Sequence, residues 1–238
     1  MRDHYAGDIS DFLKFSYLRA LRGSESTLGI AWYYVSGVDN ELDGRHLEWC
    51  EEPQWQQLDP ELHEWLSAIA KNSRTVSALQ DSKFWGSTVF HSEEVPPQAQ
   101  RNLWALKTID TLKSANLVFL DPDNGIGKFS QKHASFAEIK LLLEEHRAIA
   151  FITFPKRQKH NPQLEELHKN IREETGATSI LTLRTSVSVP SFKNPKYVVP
   201  RARWFTLVNF DPALQERLKI YTHRLDQMTR VRASLYGD

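Results

Sequence analysis

Cysteine is almost missing from this chain: Cys50 is the single thiol in 238 residues. One thiol closes no internal disulfide and builds no cysteine-based zinc cluster. Long apolar runs are missing too, since none approaches the roughly 18 residues that a membrane-spanning helix needs. The opening MRDHYAGDISDF lacks the apolar segment of a secretory signal. A cytoplasmic protein with no membrane partner is therefore expected. Net charge is absent as well, with 30 basic residues against 30 acidic ones, so gross electrostatics select no partner. The nine histidines show no metal-ligand spacing on a helix, and no P-loop or Ser-His-Asp arrangement is visible.

What is present is unevenly placed. Between Asp39 and Glu64 nine acidic residues face Arg45 alone, whereas Lys128 to Arg203 holds 14 Lys/Arg against 7 Asp/Glu. Such polarity can make a basic face on a neutral protein, which suits a nucleic acid or another anionic ligand. The 40% hydrophobic and 25% charged fractions are those of an ordinary globule. No linker or repeat divides the chain, so a single domain over 1–238 is expected.

Periodicity and punctuation give the element order. GDISDFLKFSYLRALRG reads as a helix capped by Asp8 or Ser10, with an apolar stripe at Phe12, Leu13, Tyr17, Leu18 and Leu21, stopped by Gly23. TLGIAWYYV follows as a buried strand. A second helix, LDPELHEWLSAIAKNS, has Asp59 at its cap and Pro60 at its first position. The acidic, Trp-containing span 42–73 is expected as a helical insertion. Strands at STVFHS, NLVFLD, AIAFITF, TSILTLRTSV and RWFTLVNF then alternate with helices at PPQAQRNLWALKTIDTLKSA, FAEIKLLLEEH and NPQLEELHKNIREETG, and a last helix starts near Pro212. That alternation predicts an α/β fold: a doubly wound, mostly parallel sheet with helices on both faces.

In such a sheet, ligands sit outside the carboxyl ends of strands. NLVFLDPDNGIG, residues 116–127, puts Asp121 at such an end. Pro122 stiffens the turn, and Gly125 and Gly127 permit positive φ and close ligand approach. Three chemistries fit. The loop could hold an exocyclic amine for methyl transfer. Asp121 and Asp123 could bind magnesium as hard oxygen donors, giving a metal-dependent nuclease or phosphoesterase. A haloacid dehalogenase-type phosphatase also carries Asp-x-Asp after a strand, but it has Thr where Gly125 stands and needs a later acidic pair on a loop, which 153–203 lacks.

The N-terminal string resembles another family. Tyr5-Ala6-Gly7-Asp8-Ile9-Ser10-Asp11-Phe12-Leu13-Lys14-Phe15 is similar to the His-Ala-Gly-Asn-x-Ala-Asp-Val-Leu-Lys-His pattern of the large-subunit ribosomal RNA adenine-N6 methyltransferases of the J type. Their catalytic Asp-Pro-Pro-Tyr loop falls on Asp121, Pro122, Asp123 and Asn124, and their late strand ending in Asn-Pro-Pro resembles TLVNFDP. The resemblance implies a Rossmann-like methyltransferase fold, S-adenosylmethionine as cofactor and a nucleic acid as substrate. It implies catalytic roles for Asp121, Asp123 and Asn124, with Asp121 accepting hydrogen bonds from the target amine or deprotonating it. It places Tyr5, Asp8, Asp11 and Lys14 on the cofactor side, with Ser36 and Gly37 as the remnant of a glycine turn. The departures are equally plain. Tyr33 stands where the family has an acid, Asp39 where it has a second glycine, and Asn124 where its base-stacking tyrosine lies.

FPKRQKH sets Lys156 and Arg157 on a loop after a strand, on the same expected rim, and Arg203 extends it; phosphate contact by these three is the expectation. Three readings follow: a methyltransferase acting on a nucleic-acid amine, a magnesium-dependent nuclease or phosphoesterase built on Asp121 and Asp123, and a non-catalytic protein that keeps the fold.

Overall fold

The structure, a computed structural model, describes residues 1–24, 26–37, 44–127, 130–143 and 147–237. Seven strands form one sheet: β1 (Leu28–Trp32), β2 (Val89–His91), β3 (Leu117–Asp121), β4 (Ala148–Thr153), β5 (Ile180–Pro190), β6 (Val198–Val208) and β7 (Val231–Gly237). Their order across the sheet is β2-β1-β3-β4-β6-β5-β7. The helices are α1 (Ile9–Arg22), α2 (Pro53–Leu58), α3 (Pro60–Asn72), α4 (Ser82–Trp85), α5 (Arg101–Thr111), α6 (Phe136–Leu142), α7 (His160–Thr175) and α8 (Pro212–Asp226). The α2 and α3 helices fall in the expected helical span, whose residues 42 and 43 lie outside the described residues, as do Asp39 and residues 144–146 of the expected helix after Phe136.

The sheet is Rossmann-like but more mixed than the sequence suggests. Strands β1 to β4 pair in parallel, whereas β6 runs antiparallel to β4 and to β5, and β7 runs antiparallel to β5. The reason is the connection. Parallel neighbours need a crossover, usually a helix, and only the short segment 191–197 joins β5 to β6. The Ser-, Pro- and Lys-rich stretch between TSILTLRTSV and RWFTLVNF is largely the outer half of this hairpin. The last helix, expected from near Pro212, ends at Asp226, and the chain returns as the edge strand β7.

Apolar residues in β1, β3 and β4 alternate between two cores. Leu28, Ile30, Trp32, Leu117 and Phe119 face the side covered by α1, α3 and α8. Ala31, Tyr33, Val118 and Leu120 face the side covered by α5, α6 and α7. This period of two fixes where the last residue of β3 points: Asp121 shares its parity with Leu117 and Phe119, on the α1 side. There α1 is buried nearly all round, as a helix between a sheet and other helices must be. Gly7 lets α3 approach its start, because a Cβ there would lie 2.9 Å from the Ala70 Cβ and the backbone sits at φ 83°.

On the opposite face, Arg101 and Glu138 make a closed ion pair. The guanidinium donates to both Glu138 oxygens, at 2.5 and 3.2 Å, and to the His133 carbonyl at 2.9 Å. The Tyr33 hydroxyl donates to Glu138 at 3.0 Å. Ser135 and Glu138 form the capping box of α6, and the guanidinium lies over the rings of Tyr33 and Trp104.

Candidate functional site

The strand order reverses at β1, since β2 lies on one side of it and the next strand in sequence to join, β3, on the other. A crevice at such a switch point, outside the carboxyl ends, is where doubly wound sheets bind ligands. Trp32 and Asp121 are register partners there. A cleft of about 680 Å³ opens beside them, over the ends of β3 and β4 and the start of β6, large enough for a small ligand or one nucleotide.

Its floor is a carboxylate–ammonium–carboxylate chain. Lys14 Nζ donates to Asp11 Oδ1 at 2.7 Å and to Asp121 Oδ2 at 2.8 Å, and lies 5.4 Å from the Trp32 ring centroid. All three charged groups are buried. Burial alone would lower the Lys14 pKa, but Asp11 and Asp121 overcome it and raise it above its ordinary value. Burial pushes Asp11 up, against the pull of Lys14. Asp11 is further held by the Gly7 N–H at 2.9 Å. Asp121 differs: its Oδ1 has no partner among the described residues.

The remaining candidates divide. Tyr5, Asp8 and Asn124 line the cleft. Asp8 caps α1, accepting from Ser10 N and the Ser10 hydroxyl, each at 2.8 Å, and from His46 N at 3.0 Å. The Asn124 side-chain amide makes no bond among the described residues, while its N–H donates to the Lys132 carbonyl. The loop reaches this position because Gly125 adopts φ 86° with a would-be Cβ only 2.9 Å from Thr153. Asp123 also borders the cleft, but it is ion-paired with the Met1 amine and lies 3.6 Å from Arg2 Nε. Ser36 and Gly37 stay outside the cleft. Their carbonyls accept from Arg2 at 2.8 and 3.0 Å, and Glu94 accepts from the Ser36 N–H and hydroxyl.

This arrangement does not fit the magnesium reading. Lys14 already stands between Asp11 and Asp121, and Asp123 faces a different pair of cations, so the two loop aspartates share no open position. No group of three or more metal-ligating side chains occurs among the described residues.

The rim is basic. Lys156 and Arg157 are exposed, on a loop that Gln163 ties to α7 by accepting from Lys156 N and donating to Lys156 O. Arg203 is buried, contrary to a simple rim position, and donates to the Ser10 hydroxyl at 2.7 Å. Sequence reasoning gave no weight to Arg2, which reaches the β1 turn, and did not foresee the stack of His46 on Phe192 at 4.3 Å within the cleft.

No protein-family model matches the chain, and no curated protein matches its sequence. Among solved structures, a Legionella pneumophila protein of family DUF519 aligns over 98% of both chains with a TM-score of 0.56 and 12% identity; the two share a fold. A SAM-dependent methyltransferase from Agrobacterium tumefaciens aligns over 85% of this chain and 61% of its own, with a TM-score of 0.39 and 8% identity. A candidate RNA methyltransferase from Pyrococcus horikoshii aligns over 84% of this chain and 81% of its own, with a TM-score of 0.33 and 12% identity. No helix among the described residues is long and apolar enough to cross a membrane.

Proposed function

We propose that the protein is an S-adenosylmethionine-dependent methyltransferase acting on an amine of a nucleic acid. One observation carries the reading: Asp121 is buried at the switch point, tied through one oxygen to Lys14, with its other oxygen unpartnered beside the cleft. Asp121 accepts from the target amine through its unpartnered oxygen and takes the amine's proton as the new bond forms. The free Asn124 amide offers a donor and an acceptor to the same group. Lys156, Arg157 and Arg203 hold phosphates. The cofactor supplies an electrophilic methyl group when bound. The cleft fits it in volume, through Tyr5, Asp8 and Asp11, but the Ser36–Gly37 turn does not, because Arg2 and Glu94 have taken its polar groups.

That saturated turn favours a second reading, a binding protein that keeps the fold without catalysis. Calorimetry separates the two. Heat on titration with S-adenosylmethionine or its demethylated product supports the enzyme; no binding of either sinks the cofactor assignment. Transfer of labelled methyl to cellular RNA should then fall by about 10²-fold or more in Asp121→Asn.

A further inference from the structure

We infer that the end of the cleft beside the first turn of α1 is a phosphate subsite formed by Arg203, Arg201 and His46. It rests on the nucleic-acid reading in one respect, the source of the phosphate; recognition of the phosphate group itself is independent of methyl transfer. Arg203 is only 5% exposed. Its Nε donates to Ser10, and its Nη1 to the Arg201 carbonyl at 3.1 Å. The nearest carboxylate, Asp8, stands 3.8 Å from Nη2 and is already engaged by Ser10 and by His46 N. A buried cation without a hydrogen-bonded counter-ion is costly, and burial depresses the Arg203 pKa with Asp8 only partly opposing. An anion bound here removes that cost.

His46 is the second, independent sign. It is 5% exposed, lines the cleft, and neither ring nitrogen has a hydrogen-bond partner; its nearest acid, Glu48, is 3.7 Å away. Burial lowers its pKa, Asp8 and Glu48 oppose this, and Arg201 and Arg203 add to it. The neutral ring therefore has one N–H to offer, and Phe192, stacked at an interplanar angle of 13°, fixes its plane. The remaining Nη2 group of Arg203, the Arg201 guanidinium and the imidazole all line the cleft, close enough to act on one another electrostatically. Three donor groups match a phosphate, with its several charged acceptor oxygens, better than a carboxylate with two. Because Asp8 occupies the cap of α1, the helix terminus itself is not the site.

The phosphate could belong to a free nucleotide or to a strand, and one experiment distinguishes them. The full chain is titrated calorimetrically with uridine, uridine 5′-monophosphate and a short single-stranded RNA, as wild type, Arg201→Ala and His46→Phe. Arg201 is exposed and phenylalanine preserves the stack on Phe192, so both variants retain the fold, which thermal unfolding checks. Wild type should bind the monophosphate, or the strand, at least about tenfold tighter than uridine, and either substitution should remove about tenfold of it. A loss seen with the monophosphate assigns a nucleotide phosphate; a loss confined to the RNA assigns a backbone phosphate. The proposal is overturned if both variants bind every phosphorylated ligand as wild type does, or if wild type binds none. Phosphate discrimination without any S-adenosylmethionine binding would sink the methyl-transfer reading alone.

Discussion

Lys14 and Arg101 are both buried cations held by carboxylates near the carboxyl rim of the sheet, one on each face. Around Arg101 every group is spoken for. Glu138 receives the guanidinium, the Tyr33 hydroxyl and the Ser135 N–H, and two aromatic rings close the rest. Around Lys14 the chain ends on an oxygen of Asp121 with no partner and a cleft beside it. The same interaction type thus serves two purposes. Enclosed, it locks α5 to α6 and to the residue after β1; left open at one end, it presents an acceptor oxygen to the cleft.

The largest effect that can test this contrast is on stability. Glu138→Ala should cost about 3–5 kcal/mol, the penalty for leaving Arg101 buried and unpaired, and leave ligand binding in the cleft unchanged in whatever protein stays folded. Urea unfolding and calorimetry report the two sides; equal stability would break the contrast from the closed side.

A smaller effect concerns pH. The folded-state pKa of Lys14 lies above its ordinary value of 10.5, so at high pH the native state keeps a proton that the unfolded chain has released. Stability is therefore full below that value and falls above it, by about 1.4 kcal/mol per pH unit. Lys14→Met should flatten the alkaline limb of the stability curve by that slope. Parallel curves for the two proteins would refute the raised value.

The smallest effect is on the rim. Lys156→Ala removes an exposed charge, so the melting temperature should not move, while the salt dependence of RNA binding loses about one unit of slope. An unchanged slope would remove Lys156 from the interface and leave phosphate contact to the buried end of the cleft.

Much of this architecture was legible. Runs such as NLVFLD and AIAFITF are buried on both faces, so their apolar continuity marked them as strands, and Asp8 and Gly23 bound α1 as capping chemistry requires. The hairpin's outer half was not, because its residues 191–200 are solvent-facing or only half-buried and their Ser, Pro and Lys content imitates a loop. VRASLYG was missed as a strand for a related reason: an edge strand buries few of its side chains. At the site, Asp121 announced itself through the turn chemistry that follows it. Lys14 was named there too, on the cofactor side through the N-terminal resemblance, but its pairing with Asp121 was not legible, since the two lie 107 residues apart. Arg203 was read as a rim residue because burial is a property of the assembled sheet.

The reversed strand β6 carries a last consequence, for the order of events in folding. It brings Arg203 to Ser10 across 193 residues of chain, and α8 behind it brings Tyr221 to Ser16 across 205. Contacts so distant in sequence are slow to form, because the loop between them must be closed before they reward it. During synthesis β1 and β3 can pair early, yet the cleft gains its third wall only once the final third of the chain has emerged. Ligand recognition is therefore among the last properties the molecule acquires as it folds.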